Sequence, residues 1–188
     1  MQFHRNPLSL PDGRPAVVTV GSFDGVHRGH RALLDRLVRE AHSLGGTSVA
    51  VTFEPHPRIA LGRADGLLLL TDTAEKAELL AACGVDHLVV LPFNRALASL
   101  PGAAFVEEYL CRRLRAAVLV AGYDHRFGHD RIAAETLASE RLRIVGIGPC
   151  EVGGRAVSST AIRRAIEAGR LQEAEELLGH PIALTRRP

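Results

Sequence analysis

Short apolar runs rich in β-branched residues alternate with stretches of helical periodicity, and this alternation constrains the fold more than any other feature. The predicted strands cover Ala16–Val20, Thr47–Phe53, Asp86–Leu91, Ala117–Ala121 and Arg141–Ile147. The predicted helices cover Arg31–Leu44, a stretch from the capped start at Thr71–Thr73 to Gly84, Ala103–Arg113, Thr160–Ala168 and Leu171–Leu178. Because strands that alternate with helices form βαβ units, we predict an α/β fold, a doubly wound parallel sheet of five strands with helices on both faces.

Composition limits the size, the partners and the location of the protein. The 188 residues suit one domain, since domains usually hold about 100–200 residues, and we predict a single domain over residues 1–188. The net charge is only +2, and no basic stripe interleaved with aromatic residues occurs, so we expect no nucleic-acid partner. No apolar run approaches the roughly 18 residues that cross a bilayer, and residues 1–15 contain no apolar signal-peptide core. We therefore expect a cytoplasmic protein without a membrane partner.

The three cysteines lie far apart in the sequence, at Cys83, Cys111 and Cys150. No CxxC spacing occurs, so the sequence predicts neither a zinc site nor a disulfide framework. We predict free, buried thiols instead. Nothing in the sequence fixes an oligomeric state.

The loop after the first predicted strand, residues 21–30 (GSFDGVHRGH), has the features of a phosphate site. Ligands of parallel sheets bind beyond the carboxyl ends of the strands, and this loop lies between a strand and a helix. The free N–H groups and positive dipole end of the helix suit an anion, while the glycines let the backbone approach it. His27 and His30 lie three residues apart on the first helical turn, which places both imidazoles on one side. The loop lacks the P-loop and dinucleotide signatures.

A second candidate phosphate site begins the helix that follows residue 157. The hydroxyls of Ser158, Ser159 and Thr160 lie where this helix starts, and Arg163 follows one turn later. Hydroxyls at this position either cap free N–H groups or bind phosphate with the helix dipole. Taken alone, the segment is equally typical of a capped helix with a surface arginine. Together with the histidine loop, it predicts that Arg163 forms charge-assisted bonds to the same phosphates.

Two further loops follow predicted strands and carry aromatic residues. The Pro-rich stretch Phe53–Pro57 is stiffened by its two prolines, and Phe53 with His56 can form an aromatic wall for a planar ring. Asp124, Arg126 and Phe127 follow the fourth predicted strand. From the residues alone, both stretches are also compatible with ordinary exposed turns.

In combination, these segments resemble one known family. Residues 21–30 are similar to the signature loop of the HxGH nucleotidyltransferase superfamily, and the fuller string resembles the FMN adenylyltransferase module of prokaryotic FAD synthetases, the bifunctional riboflavin kinase/FAD synthetase family. Four more segments resemble motifs of that module, namely residues 52–57 (TFEPHP), 122–128 (GYDHRFG), 157–163 (VSSTAIR) and 178–181 (LGHP). The matches occur in order over about residues 16–181.

The resemblance implies a Rossmann-like nucleotidylyltransferase fold and transfer of the adenylyl group of ATP to FMN, giving FAD and pyrophosphate. It implies Mg²⁺ carried chiefly by the ATP phosphates, with no metal ligands from the protein. The implied catalytic residues are His27, His30, Ser159 and Arg163. The implied ATP-binding residues are Gly21, Ser22, Phe23, Asp24, His27, Gly29, His30, Gly122, Asp124, Ser158, Ser159, Thr160 and Arg163. The implied flavin-binding residues are Phe53, Pro55, His56, Pro57, Asp124, Arg126 and Phe127.

The chain departs from the family pattern in one loop. His125 stands where the family usually has Phe, and Ala133–Ala134 stands where the family usually has Gly-Asp or Gly-Asn. These departures leave two alternatives open, an HxGH nucleotidyltransferase with a different phosphate-bearing acceptor and a non-catalytic flavin or nucleotide binder. The riboflavin kinase module of the bifunctional members is expected to be absent.

Overall fold

A computed structural model of the chain describes residues 1–7, 9–10, 13–63 and 67–182. Its strands are β1 (Gln2–Arg5), β2 (Ala16–Val20), β3 (Thr47–Glu54), β4 (His87–Pro92), β5 (Ala116–Gly122), β6 (Arg126–Phe127), β7 (Ile132–Ala133), β8 (Arg143–Ile147), β9 (Glu151–Val152) and β10 (Arg155–Ala156). Its α-helices are α1 (Arg28–Leu44), α2 (Pro57–Ala60), α3 (Thr73–Ala82), α4 (Arg95–Ala98), α5 (Gly102–Phe105), α6 (Ser159–Glu167) and α7 (Leu171–Leu178). A π-helix, Val106–Arg113, continues α5, and a 3-10 turn covers Ala134–Leu137.

The main sheet has the strand order β1-β4-β3-β2-β5-β8, and all its neighbouring strands run parallel. Alternate residues of the inner strands enter different apolar clusters, as Val17 and Val18 of β2 do. On one face, Val17 packs with Leu34 of α1 and Leu80 of α3. On the other face, Val18 packs with residues of α5 and of the π-helix that follows it, such as Leu110. This arrangement confirms the predicted doubly wound α/β fold.

The prediction of five strands was one strand short. The additional strand is β1, which pairs in parallel with β4 from Gln2↔His87 to Arg5↔Val90. Three of its four residues are exposed, because β1 lies at the edge of the sheet and only one of its sides is paired. It therefore lacks the continuous apolar run by which the inner strands were predicted.

Other differences are local. The helix predicted over Ala103–Arg113 begins as α5 but becomes a π-helix from Val106. Pro57, the last residue of the predicted stiff stretch Phe53–Pro57, occupies the first turn of the short helix α2. The three cysteines are free, as predicted, but they are partly exposed rather than buried. Of the helices within the described ranges, none is long and apolar enough to cross a membrane.

Candidate active site

The turn between β2 and α1 folds tightly at the carboxyl edge of the sheet. Phe23, Gly25 and Val26 all have positive φ, of 46°, 83° and 37°. A Cβ atom on Gly25 would lie 2.9 Å from Leu70 Cδ1 and 3.0 Å from Leu178 Cδ2. Glycine is therefore required at position 25 both by the left-handed conformation and by the close packing of two neighbouring segments.

His27 and His30 form a stacked pair at the start of α1. Their ring centroids are 3.6 Å apart and the rings are inclined by 13°. His27 caps the helix, because its Nδ1 accepts a hydrogen bond of 3.3 Å from the backbone N–H of His30. An accepting Nδ1 leaves the proton of the neutral ring on Nε2, where it can be donated to a ligand. A Cβ on Gly29 would lie 3.3 Å from the His27 ring, so glycine keeps the space beside that ring open.

Burial keeps both histidines neutral at pH 7. Burial lowers the pKa of His27 from 6.5 to about 4, and the nearby Arg163 charge acts in the same direction. Burial also lowers the pKa of His30 well below 6.5, and the charge of Lys76, together with that of His27 whenever its ring is protonated, adds to the effect. The Nδ1 atom of His30 is buried and has no hydrogen-bond partner among the described residues. The pair thus offers uncharged hydrogen-bonding groups beside the N–H groups of a helix N-terminus.

Asp24 joins the loop to two distant segments. It is 1% exposed, and its Oδ2 accepts a bond of 2.8 Å from Nη1 of Arg163, itself 9% exposed. Its Oδ1 accepts bonds from the backbone N–H groups of Leu70, at 2.8 Å, and Thr71, at 3.1 Å. Arg163 therefore lies beside the histidine pair, as predicted, but its guanidinium is engaged with a buried carboxylate that the sequence did not reveal as its partner.

The start of α6 is fixed to the same loop. Ser158 is the N-cap, with its Oγ accepting a bond of 3.2 Å from the N–H of Ala161, so it takes the capping role of the two that the sequence left open, while phosphate binding by these hydroxyls stays a prediction. Ser159 Oγ donates a bond of 2.9 Å to the backbone oxygen of Asp24. Sequence reasoning placed His180 in the motif of residues 178–181 but gave it no site role, and its Nε2 lies 2.8 Å from the backbone oxygen of Gly25. The N-termini of α1 and α6 consequently meet at one place.

A cavity of about 740 Å³ opens next to this loop. The residues that line it are Phe3, Arg5, Phe53, Glu54, Pro55, His56, Ile59, Leu69, Thr71, Asp72, Thr73, Ala74, Lys76 and Ala77. Three residues predicted to contact a flat ring, Phe53, Pro55 and His56, are among them. Thr71 connects the cavity to the histidine loop, because its Oγ1 accepts a bond of 3.0 Å from the N–H of Gly25.

The surroundings of the cavity hold its aromatic wall in place. Phe53 meets Phe93 edge to face with ring centroids 5.3 Å apart. His56 caps α2 through its Nδ1, and burial lowers the pKa of its ring. Sequence reasoning assigned no role to Lys76, which is 6% exposed and lines this cavity. In the sequence, Lys76 stands out only as the single lysine among the 23 lysine and arginine residues.

The loop after β5 does not line this cavity. Phe127 is 3% exposed and packs against Phe105, at 6.3 Å between ring centroids, and against His125, at 4.3 Å. Burial lowers the pKa of His125 to about 4. Asp124 and Arg126 are exposed on the same loop. Their contact with substrates, like that of Phe127 and of Gly122 at the end of β5, stays a prediction.

Comparisons with known proteins agree on one family. A family model described as FAD synthetase matches residues 10–161. The bifunctional riboflavin kinase/FMN adenylyltransferase of Escherichia coli is 38% identical over 186 residues, which are 96% of this chain and 59% of that protein. The chain thus spans about three fifths of that relative. A FAD synthetase of Listeria monocytogenes is 36% identical over 183 residues, covering 93% of this chain and 72% of the relative.

One solved structure is similar over nearly the whole chain. It is titled as a macrolide-efflux protein from Streptococcus pneumoniae, and it superposes with a TM-score of 0.86 at 32% sequence identity. The similarity covers 97% of this chain and 63% of that one. The α/β architecture described above is therefore shared with a crystal structure.

Proposed function

We propose that this chain, which belongs to the FAD synthetase family, transfers the adenylyl group of ATP to FMN and releases FAD and pyrophosphate. Its family membership confirms the resemblance predicted from five short segments of sequence. The observation that carries the proposal is the stacked pair of His27 and His30 at the N-terminus of α1. The names of the relatives and the adjoining cavity with Phe53 on its wall support FMN as the acceptor.

The N-termini of α1 and α6 would hold the triphosphate of ATP. Both helices present free N–H groups and a positive dipole end, and His27 adds a neutral Nε2–H donor. Arg163 can serve Asp24 and a phosphate together, since a guanidinium has five N–H donors and Asp24 is bonded to Nη1. Ser159 and Thr160 begin α6 next to these groups and would bind the same phosphates.

The reaction is an in-line displacement at the α-phosphorus of ATP. A phosphate oxygen of FMN forms the new P–O bond, the bond to the pyrophosphate oxygen breaks, and its electron pair leaves with pyrophosphate. A phosphate monoester is largely ionised at pH 7, so no general base is needed to remove a proton. The protein would act by positioning the two phosphates and by stabilising charge on the leaving group through His27, His30 and Arg163.

Magnesium enters this proposal with ATP. Within residues 1–7, 9–10, 13–63 and 67–182, no group of three or more His, Cys, Asp or Glu side chains lies close enough together to hold a metal ion. We propose that ATP oxygens provide most of the ligands of Mg²⁺. When bound, Mg²⁺ would offset negative charge on the phosphates.

The test incubates the purified chain with Mg²⁺-ATP and a panel of phosphate monoesters and identifies products by mass. We expect FAD from FMN, and we expect His27→Asn and His30→Gln each to lower turnover about 100-fold, the loss typical of one preorganised contact in the transition state. His42→Asn, at an exposed position near the other end of α1, is the matched control. If the chain adenylylates only another ester, it is a nucleotidyltransferase with a different acceptor. If it binds flavin without turnover, it is a non-catalytic binder. Either result would contradict the proposal.

A further inference from the structure

Lys76 occupies an unusual position for its residue type. It lies in α3, four residues after the N-cap Asp72, and its side chain is 6% exposed although it lines the cavity. Lysine is almost never buried to this degree unless its charge is paired. A buried ammonium beside a cavity calls for an anion, either in the protein or in a ligand.

Among the described residues, no carboxylate is a close partner of this ammonium. Asp24, Glu54 and Asp72 act on the Lys76 charge from a distance, while burial lowers its pKa. Across the part of the chain that the structure describes, no carboxylate lies within 4.0 Å of Lys76, and the nearby carboxylates have other partners. Glu54, for example, accepts bonds from Thr73 Oγ1 and from Arg5.

The position of Lys76 links the cavity to the histidine pair. Its charge contributes to the lowered pKa of His30 on one side and of His56 on the other. The cavity walls beyond His56 are largely apolar and aromatic, including Phe3, Phe53 and Ile59. A ligand that fits has a flat apolar ring on these walls and an anionic group that reaches toward the histidines.

We propose that Lys76 binds the phosphate group of FMN and holds it at the boundary between the cavity and the ATP site. This inference rests on the proposed function and adds to it a specific acceptor contact. It gives the enzyme a means of selecting a phosphorylated flavin over riboflavin, which has the same ring and ribityl chain without the phosphate. Lys76 acts on the acceptor, so ATP binding does not depend on it.

The experiment measures dissociation constants for FMN, riboflavin and ATP separately, following flavin fluorescence and, for ATP, calorimetry. In the Lys76→Met variant we expect FMN binding to weaken about 10-fold to 100-fold, the loss of one bond to a charged group. Riboflavin and ATP should bind within about 3-fold of the unmodified protein, and Lys76→Arg should recover part of the FMN affinity. Arg58→Met is the charge-matched control. Arg58 is exposed near His56, does not line the cavity, and donates to the backbone oxygen of Arg63.

The outcomes separate this inference from the proposed function. If Lys76→Met weakens the binding of FMN and of riboflavin equally, Lys76 maintains the fold of the site rather than binding phosphate. If it weakens the binding of ATP, Lys76 belongs to the triphosphate site. Either result would overturn the inference and leave the proposed function standing. If the unmodified protein binds no flavin, the FMN acceptor and the inference both fail. Melting temperatures guard against misfolding, and we expect Lys76→Met to be as stable as the unmodified protein because it removes a buried charge. If it does not fold, Lys76→Gln replaces it in the same comparison.

Discussion

The buried His27 should make the stability of the protein depend steeply on pH below neutrality. Its pKa is lowered from 6.5 to about 4 in the folded state, because the side chain is 6% exposed and charging it there is unfavourable. The folded protein therefore binds this proton less readily than the unfolded chain does. The resulting stabilisation is fully present above pH 6.5 and is lost as the pH falls through the interval from 6.5 to 4.

The size of the effect follows from these two pKa values. For a single site that titrates at 6.5 when unfolded and at about 4 when folded, linkage gives a loss of about 2 kcal/mol in the free energy of unfolding between pH 7 and pH 5. Replacing His27 by Asn removes the titration but keeps an N-cap oxygen that can accept the bond from the N–H of His30. Between pH 7 and pH 5, the free energy of unfolding of the variant should therefore fall by about 2 kcal/mol less than that of the unmodified protein.

Urea denaturation at pH 7 and pH 5, followed by far-UV circular dichroism, measures the difference directly. His42→Asn is the control, because it makes the same substitution at an exposed histidine of the same helix. Equal losses in His27→Asn and in the unmodified protein would refute the argument. They would mean that the His27 ring is charged in the folded protein or that water reaches it.

The remaining predictions concern the ion pair, one glycine and the substrate range. Asp24→Asn should lower the free energy of unfolding by about 3–5 kcal/mol, since it leaves the buried Arg163 charge uncompensated. The double variant with Arg163→Met should lose less free energy of unfolding than the sum of the losses of the two single variants. Urea denaturation measures both effects. Gly128→Ala should destabilise far more than Gly62→Ala, because both have positive φ but only at position 128 would a Cβ collide, 2.1 Å from the nearest backbone nitrogen; melting temperatures decide this. The 188-residue chain should form no FMN from riboflavin and ATP, and chromatography that detects FMN would contradict it.

Local patterns predicted the elements whose signals are local. The inner strands carry continuous apolar runs, because helices cover both faces of a parallel sheet. The start of α3 was readable from its polar capping residues. Asp72 Oδ1 accepts a bond of 2.8 Å from the N–H of Glu75, and Glu75 Oε2 accepts a bond of 3.0 Å from the N–H of Asp72, so the two residues form a capping box. β1 was missed because an edge strand of four mostly exposed residues has neither length nor apolarity to mark it.

The residues of the site also divide into those that a local sequence pattern predicts and those that depend on how distant elements pack. The spacing of His27 and His30 was sufficient to predict that both rings lie on one side, and the structure adds that they stack. The bond between Asp24 and Arg163 joins residues 139 apart in sequence, so it depends on where α6 packs against the loop, which no local pattern encodes. Lys76 was missed for a related reason, since its burial follows from the way α3 packs beside the cavity rather than from its neighbours in sequence.

Burial chiefly, and nearby positive charges in addition, keep the histidines neutral, although the ligand we propose is highly anionic. The cations Arg163 and Lys76 each help to lower the pKa of one of the rings, Arg163 that of His27 and Lys76 that of His30. A charged imidazole would be repelled by them and would have to be desolvated as well. Phosphate groups placed between these cations and the rings would reverse that balance, since a nearby negative charge favours the protonated ring. The pair would thus be uncharged without substrate and become better able to stabilise negative charge when the phosphates are bound, and the bond of 2.8 Å from Arg163 to Asp24 positions the guanidinium for them.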